Sequence, residues 1–224
     1  MTDQPTTRPG SAPAPTDVDS FLAEIAKAAP ARHGRLVFAL DATGSRQPSW
    51  DRACTLQAEM FKEAQGLDVQ LVYYRGLGEC RSSRWFSDPG ELGRVMTKIM
   101  CEAGETQIGK ILTHVVKETQ LLPVSALVFV GDACEENGDS LVARASGLGV
   151  PAFMFQEGDN ETVATVFKAI ALASHGAYGR FDAGSAKQLA ELLKAVAAYA
   201  TGGLAALEGR KDAGSIKLLG QLKS

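Results

Sequence analysis

The sequence has little of what marks secreted, membrane-anchored or nucleic-acid-coating chains. Its 224 residues include only four cysteines, Cys54, Cys80, Cys101 and Cys134, and no two form a C-x-x-C pair. A set so scattered excludes a disulfide framework and reads as free thiols in a reducing compartment. The three histidines, His33, His114 and His175, form no recognisable motif. An excess of one charge is missing too: 23 Lys and Arg against 26 Asp and Glu leave a net charge of -3. That balance supplies no broad field for nucleic acid or an anionic membrane. No uninterrupted apolar run is long enough to span a bilayer, and MTDQPTTRPGSAPAPTD has no apolar signal-peptide centre. A cytoplasmic location is the expectation.

What is present is enough hydrophobic material, 45% of residues, for one sizeable core. Residues 1–17 hold four of the nine prolines and almost no large apolar side chain, which predicts a disordered tail. The folded domain is expected over 18–200. Residues 201–224 read as an extension, partly helical or disordered, in which IKLLGQL (216–222) docks weakly or not at all.

Between these ends the hydrophobic period changes repeatedly. GRLVFALD (34–41), LDVQLVYYRG (67–76), SALVFVGD (125–132), GVPAFMFQEG (149–158) and GAYGRFD (176–182) read as strands. ECRSSRWFSD (79–88) is more polar and reads as an edge strand paired with 67–76. Helices are predicted over 18–30, 50–64, 91–100, 107–120, 138–148, 162–174 and 186–200. Strands that are apolar throughout, alternating with helices, predict a doubly wound α/β domain. Its central sheet is mostly parallel with one antiparallel edge strand, and helices cover both faces. Ligands of such sheets bind at the carboxyl ends of the strands.

Two apolar runs, LVFALD and LVFVGD, end in aspartates, Asp41 and Asp132. In a parallel sheet both carboxylates emerge at one edge. Thr43 and Ser45 follow Asp41 at i+2 and i+4, and Thr106 sits just before the helix that starts near Ile108. Taken singly, Asp41 is a turn carboxylate, Thr43 and Ser45 are caps, and Thr106 is an N-cap. Together, two carboxylates and three hydroxyls at loop tips make a hard-oxygen cation site. Magnesium suits it, with six oxygens at about 2.1 Å and retained waters. Manganese is the substitute, and zinc, which prefers Cys and His, is disfavoured.

This three-part pattern resembles the von Willebrand factor type A domain and its metal-ion-dependent adhesion site. The first motif, D-x-S-x-S, falls on Asp41, Thr43 and Ser45. The middle threonine falls on Thr106 within GETQIG, and the last aspartate on Asp132 within VFVGD. Order, spacing and flanking elements agree from about Gly34 to Ala200, and the chain is most similar to the intracellular bacterial branch of that family. The resemblance implies binding rather than turnover: hydroxyls and threonine touch the metal, aspartates act directly or through water, and a partner protein supplies an acidic ligand. Neutral hydroxyls leave a divalent ion short of negative charge, so an incoming Asp or Glu is attracted.

Thr43 in place of the first serine is a mild departure. Arg46 stands where the family has an apolar residue; a guanidinium beside Asp41 would compete with a cation, or pair with Asp51 or a partner carboxylate, and the outward, partner-facing position is the expectation. Glu105 and Glu135 flank the site and, with Arg46, Arg75, Arg81 and Arg84, form a candidate partner-binding set. The bland reading of GDACEENGD (131–139) is a solvated acidic loop. Arginines and aromatics in YYRGLGECRSSRW (73–85) could suit RNA, but a net acidic chain makes that the minor reading. A magnesium-dependent phosphatase of the haloacid dehalogenase type would use Asp41 as nucleophile, Asp132 as ligand and Lys110 on phosphate. It also needs a second aspartate at position 43, where this chain has threonine, so the general acid is missing. Cys134 has no histidine near it in sequence. The expectation is a binding module rather than an enzyme.

Overall fold

The computed structural model describes residues 34–47, 50, 66–182 and 185–223. The expected tail, the helix at 18–30 and, Trp50 apart, the helix at 50–64 lie outside the described residues. Six strands form one sheet: β1 (Gly34–Asp41), β2 (Leu67–Arg75), β3 (Glu79–Phe86), β4 (Ala126–Gly131), β5 (Ala152–Glu157) and β6 (Ala177–Phe181). Their order is β3-β2-β1-β4-β5-β6. Only β3 runs antiparallel, against β2, as its polar composition predicts. Strand β1 is central and pairs with β2 and β4, so that Leu40 lies opposite Tyr73 on one side and Val130 on the other.

The described helices are α1 (Pro89–Met96), α2 (Ile108–Leu121), α3 (Gly138–Ser146), α4 (Glu161–Ala173), α5 (Ala186–Glu208) and α6 (Ala213–Leu222). Successive strand residues point to opposite faces, so a strand covered on both faces must be apolar at every position. On one face Leu36, Phe38 and Leu40 of β1 join Val128, Phe153 and Phe155 beneath Leu189, Leu192 and Val196 of α5. On the other, Val37 and Ala39 join Phe129 and Met154 beneath Ile111 and Val115 of α2 and Phe167 and Ile170 of α4. Each fully buried Leu, Val or Phe contributes about 1.5–3 kcal/mol relative to exposure. The two half-cores therefore fix both the register of β1 and the direction in which its carboxyl end points.

Helix α1 begins two residues before the expected start, because Asp88 caps it through the Gly90 N–H (2.8 Å) and Pro89 occupies its first turn. Helix α5 continues past residue 200 to Glu208 and is interrupted at Gly203, whose φ of 64° only glycine adopts readily. Its segment Lys187–Glu208 is long and apolar enough to cross a membrane by length and composition. It is not an uninterrupted apolar run, since Lys187, Glu191 and Lys194 break it. Its hydropathy has another physical reason, since Leu189, Leu192, Leu193 and Val196 are buried against the sheet.

The end of the chain also docks more firmly than its Gly-rich composition suggests. Asp212 caps α6 through the Ser215 N–H (2.9 Å), and Leu218 is fully buried. The Gln221 side chain brackets Tyr178 of β6: its amide donates to the Tyr178 carbonyl (2.9 Å) and its oxygen accepts the Tyr178 N–H (2.8 Å). Lys217 Nζ donates to the Arg180 carbonyl (3.2 Å).

Candidate metal centre

The order of strand addition reverses at β1: β2 and β3 lie to one side, β4, β5 and β6 to the other. At such a switch point the loops leaving neighbouring strands diverge and open a crevice at their carboxyl ends. Asp41 closes β1 and is fully buried, and Asp132 follows β4 and is half-buried. A Cβ on Gly131 would meet the Phe129 ring at 2.9 Å and stand 3.4 Å from Asp41 Cβ, so the two strand ends are neighbours.

After Asp41 the chain turns tightly. The Thr43 N–H donates to Asp41 Oδ1 (2.8 Å), and a single 3-10 turn covers Gly44–Arg46, closed by the Arg46 N–H on the Thr43 carbonyl (3.0 Å). The Thr43 and Ser45 hydroxyl oxygens are 3.3 Å apart, with Ser45 exposed and Thr43 buried. Residues 101–107 lie against this turn. The Glu102 N–H donates to the Ala42 carbonyl (3.0 Å), and a Cβ on Gly44 would meet the Ala103 backbone at 3.5 Å. Gly104 approaches Gly76 so closely that a Cβ would stand 2.1 Å from the Gly76 carbonyl oxygen. This contact seats the loop that carries Thr106.

Thr106 is buried, yet it does not cap α2 as the sequence suggested. Gln107 holds the cap position without a side-chain bond, and the cap comes from Glu136. The Glu136 carboxylate accepts the N–H groups of Ile108 (2.5 Å) and Gly109 (3.0 Å). Thr106 is clamped to the neighbouring residue instead: its N–H donates to Glu135 Oε2 (2.8 Å), and its hydroxyl accepts the Glu135 N–H (3.0 Å). The acidic loop after Asp132 is therefore structural rather than merely solvated. The sequence places Glu136 with Glu135 and Asp139 in an acidic loop, solvated or touching a second cation, and gives no sign that it caps a helix.

Solved structures share this arrangement of strands and helices at low sequence identity. An aerotolerance-related membrane protein from Bacteroides fragilis matches at 19% identity and a TM-score of 0.56, covering 70% of this chain and 96% of that one. The vWF domain of the type V pili tip protein Mfa5 from Porphyromonas gingivalis matches at 10% identity and 0.61, covering 75% and 95%. The SpRpn10 VWA domain matches at 10% and 0.55, covering 70% and 93%. The fold is that of a von Willebrand factor type A (VWA) domain. No protein-family model matches the sequence, and no curated protein does.

Within this VWA fold the donor set suits a hard cation. Asp41 Oδ2 and Asp132 Oδ1 are buried acceptors without a hydrogen-bond partner among the described residues. Such oxygens are costly unless something positive faces them. Burial pushes the Asp41 carboxyl up, and the Asp132 charge adds to the shift, while Thr43 and the nearby Tyr74 hydroxyl oppose it. Among the described residues, no group of three or more His, Cys, Asp and Glu could hold a metal ion. Ligation would therefore rest on two carboxylates and the hydroxyls of Thr43, Ser45 and Thr106.

Arg46 is the main correction. It was expected to face outward, but it is fully buried and forms an ion pair with Glu157 at the end of β5. The reason is the 3-10 turn, in which side chains at i and i+3 eclipse, so Arg46 turns to the same side as Thr43. Burial lowers the guanidinium pKa, and the charges of Asp132 and Asp41 oppose that shift. Glu157 did not figure in the sequence reading of the site.

Of the other candidate residues, Arg75 and Arg81 lie near the carboxyl end of β2, whereas Arg84 lies toward its amino end, away from the crevice. Glu105 and Glu135 are exposed. Arg75 pairs with Glu79 (3.1 Å) and Glu102 (3.7 Å), Arg81 with Glu79 (2.8 Å), and Arg84 with Glu91 (2.5 Å) while lying over the Phe86 ring. Each arginine thus meets a carboxylate of its own chain, which weakens the basic face an RNA would need. Burial pushes the Cys134 thiol up to about 11, so it is protonated near neutral pH and unsuited to nucleophilic attack.

Proposed function

We propose that this chain is a divalent-cation-dependent protein-interaction module rather than an enzyme. Asp41, Thr43, Ser45, Thr106 and Asp132 would hold Mg2+, with Mn2+ as substitute, and a partner protein would supply an Asp or Glu as the last ligand. The observation that carries this reading is the pair of partnerless buried oxygens, Asp41 Oδ2 and Asp132 Oδ1, at the switch point of the sheet. A divalent ion there keeps residual positive charge toward solvent, because three of its protein ligands are neutral hydroxyls. Turnover has little to work with: position 43 carries a threonine where a phosphatase needs its acid, and the Cys134 thiol stays protonated. The expected setting is the bacterial cytoplasm, with neither membrane nor nucleic acid as the partner.

The test is affinity capture from cell extract in Mg2+ and in EDTA, with wild type and Asp41→Ala, alongside calorimetric Mn2+ titration. Wild type should bind Mn2+ and retain a partner only in Mg2+, and Asp41→Ala should do neither. A wild-type protein that captures the same partner equally well in EDTA would remove the metal from the account.

A further inference from the structure

Another cleft lies between the edge strand β3 and the helices α2 and α3. It is a cavity of about 550 Å³, lined by Arg81 of β3, by Lys110 and Lys117 of α2 and by Arg144 of α3. The whole chain carries a net charge of -3, so four cations around one cavity reverse the sign locally. Glu136 is the only carboxylate among the described residues that line it, and both its oxygens already accept N–H groups of α2. His114 lines it too, but partial burial lowers its pKa, so it adds little charge near neutral pH.

Two of these cations are held in place without being neutralised. Lys110 Nζ donates to the Gly78 carbonyl (2.9 Å) and to the Gln107 side-chain oxygen (2.8 Å). Arg144 Nη1 donates to the Thr113 hydroxyl (3.1 Å), which itself donates to the Gly109 carbonyl (2.9 Å). Every one of these acceptors is neutral, and Lys110, Lys117 and Arg144 form no ion pair among the described residues. An ammonium has three donors and a guanidinium five, so both keep donors for a ligand. Arg81 is partly neutralised, since it shares Glu79 with Arg75. The helix ends are already occupied, α2 by Glu136 and α3 by Asn137 on the Ser140 N–H (2.9 Å), so recognition falls to the side chains.

We propose that this cavity binds a small phosphate-bearing anion of at least two negative charges. The cations come from three elements, β3, α2 and α3, and so reach the ligand from different sides. A phosphate group is tetrahedral and offers oxygens in several directions, whereas a carboxylate offers two in one plane. Lysine meets phosphate as a point charge, and arginine adds a directed fork of donors. A cavity of about 550 Å³ has the size of a small-molecule site rather than of a groove for a polymer. Cations fixed before the ligand arrives lose little freedom on binding it, which favours affinity. The site lies beyond the function proposed above and needs no divalent ion.

The test is calorimetric titration with sodium pyrophosphate at neutral pH, on protein stripped of metal and then freed of chelator. Wild type should bind one pyrophosphate per chain. Lys110→Met and Arg144→Met should each weaken binding at least about tenfold. Lys117→Met removes a charge without removing any hydrogen bond among the described residues, so it should stay folded and also bind more weakly. Arg94→Met, on α1 across the sheet, should bind as wild type does. Absence of binding by wild type would overturn the site. So would wild-type affinity in Lys117→Met together with the Lys110→Met, Arg144→Met double variant. A loss in Arg94→Met equal to that in the cleft variants would reduce the effect to overall charge and overturn it as well. Citrate binding as tight as pyrophosphate binding would overturn phosphate as the ligand class.

Discussion

Thr106 and Glu135 hold each other twice, through the Thr106 N–H on the Glu135 carboxylate and the Glu135 N–H on the Thr106 hydroxyl. The clamp joins the loop before α2 to the loop after β4, so one side chain sets the spacing of two candidate ligands. Thr106→Val should cost about 1 kcal/mol by leaving the Glu135 N–H without its acceptor, and it should weaken Mn2+ binding. Thr106→Ser should retain most of both properties. Urea midpoints and Mn2+ titration of the two variants check this.

Glu136 supplies both hydrogen bonds at the start of α2. A carboxylate there satisfies two N–H groups and faces the positive end of the helix dipole. Glu136→Ala should destabilise the protein by about 1–2 kcal/mol. Amide exchange at Ile108 and Gly109 should accelerate more than exchange elsewhere in α2, which mass-resolved hydrogen exchange would register.

Gly104 admits no side chain, since a Cβ would stand 2.1 Å from the Gly76 carbonyl oxygen. The obstacle is backbone, which cannot rotate away. Gly104→Ala should cost roughly 1–3 kcal/mol and displace Thr106 two residues later, so stability and Mn2+ affinity should fall together. A variant with unchanged affinity would mean that the loop does not position the threonine.

Glu118 is a hub far from the crevice. It accepts from Trp85 Nε1 (3.0 Å), Gln70 Nε2 (3.2 Å) and Arg35 (3.4 Å), and Arg35 also lies over the Trp85 ring. Partial burial pushes its carboxyl up, but the Trp85 and Gln70 hydrogen bonds and the nearby charges outweigh this and hold it below its usual value. A depressed carboxyl contributes stability above its unfolded pKa, and that contribution is lost as pH falls through the folded one. Glu118→Gln should therefore be less stable than wild type at pH 7, by roughly 1 kcal/mol, with the gap closing as the pH is lowered below about 4. Urea midpoints across that range check the sign.

Cys134 should react slowly. With its thiol pushed up to about 11, only on the order of one molecule in a thousand carries the thiolate at pH 8. Iodoacetamide labelling followed by peptide mapping should show Cys134 modified far more slowly than a free cysteine. Rapid labelling would restore it as a nucleophile candidate.

Asp41 and Asp132 are legible in the sequence because each closes a run that is apolar at every position. That pattern belongs to a central parallel strand, and in a parallel sheet it places both carboxylates at one edge. The edge strand β3 is legible for the opposite reason, its polarity. Arg46 is misread because a 3-10 turn of three residues leaves no periodic trace, and only that turn sends residue 46 inward. Glu157 and Glu136 are visible as residues but not as partners, since what they bind comes from distant parts of the chain. Residues 213–222 are misjudged because their glycines lower helix propensity, while Asp212 supplies a cap and the Leu218 pocket supplies burial that composition does not reveal.

The docking of α6 on β6 bears on how the protein can be shortened or extended. Gln221 takes both backbone groups of Tyr178, and Lys217 takes the carbonyl of Arg180, so side chains of a helix do the work that a further strand would do. A chain ending before Ala213 would leave those groups bare on an outer strand, ready to pair with another molecule. The truncated protein would keep every candidate ligand and become adhesive in an unintended direction, along the margin of its own sheet.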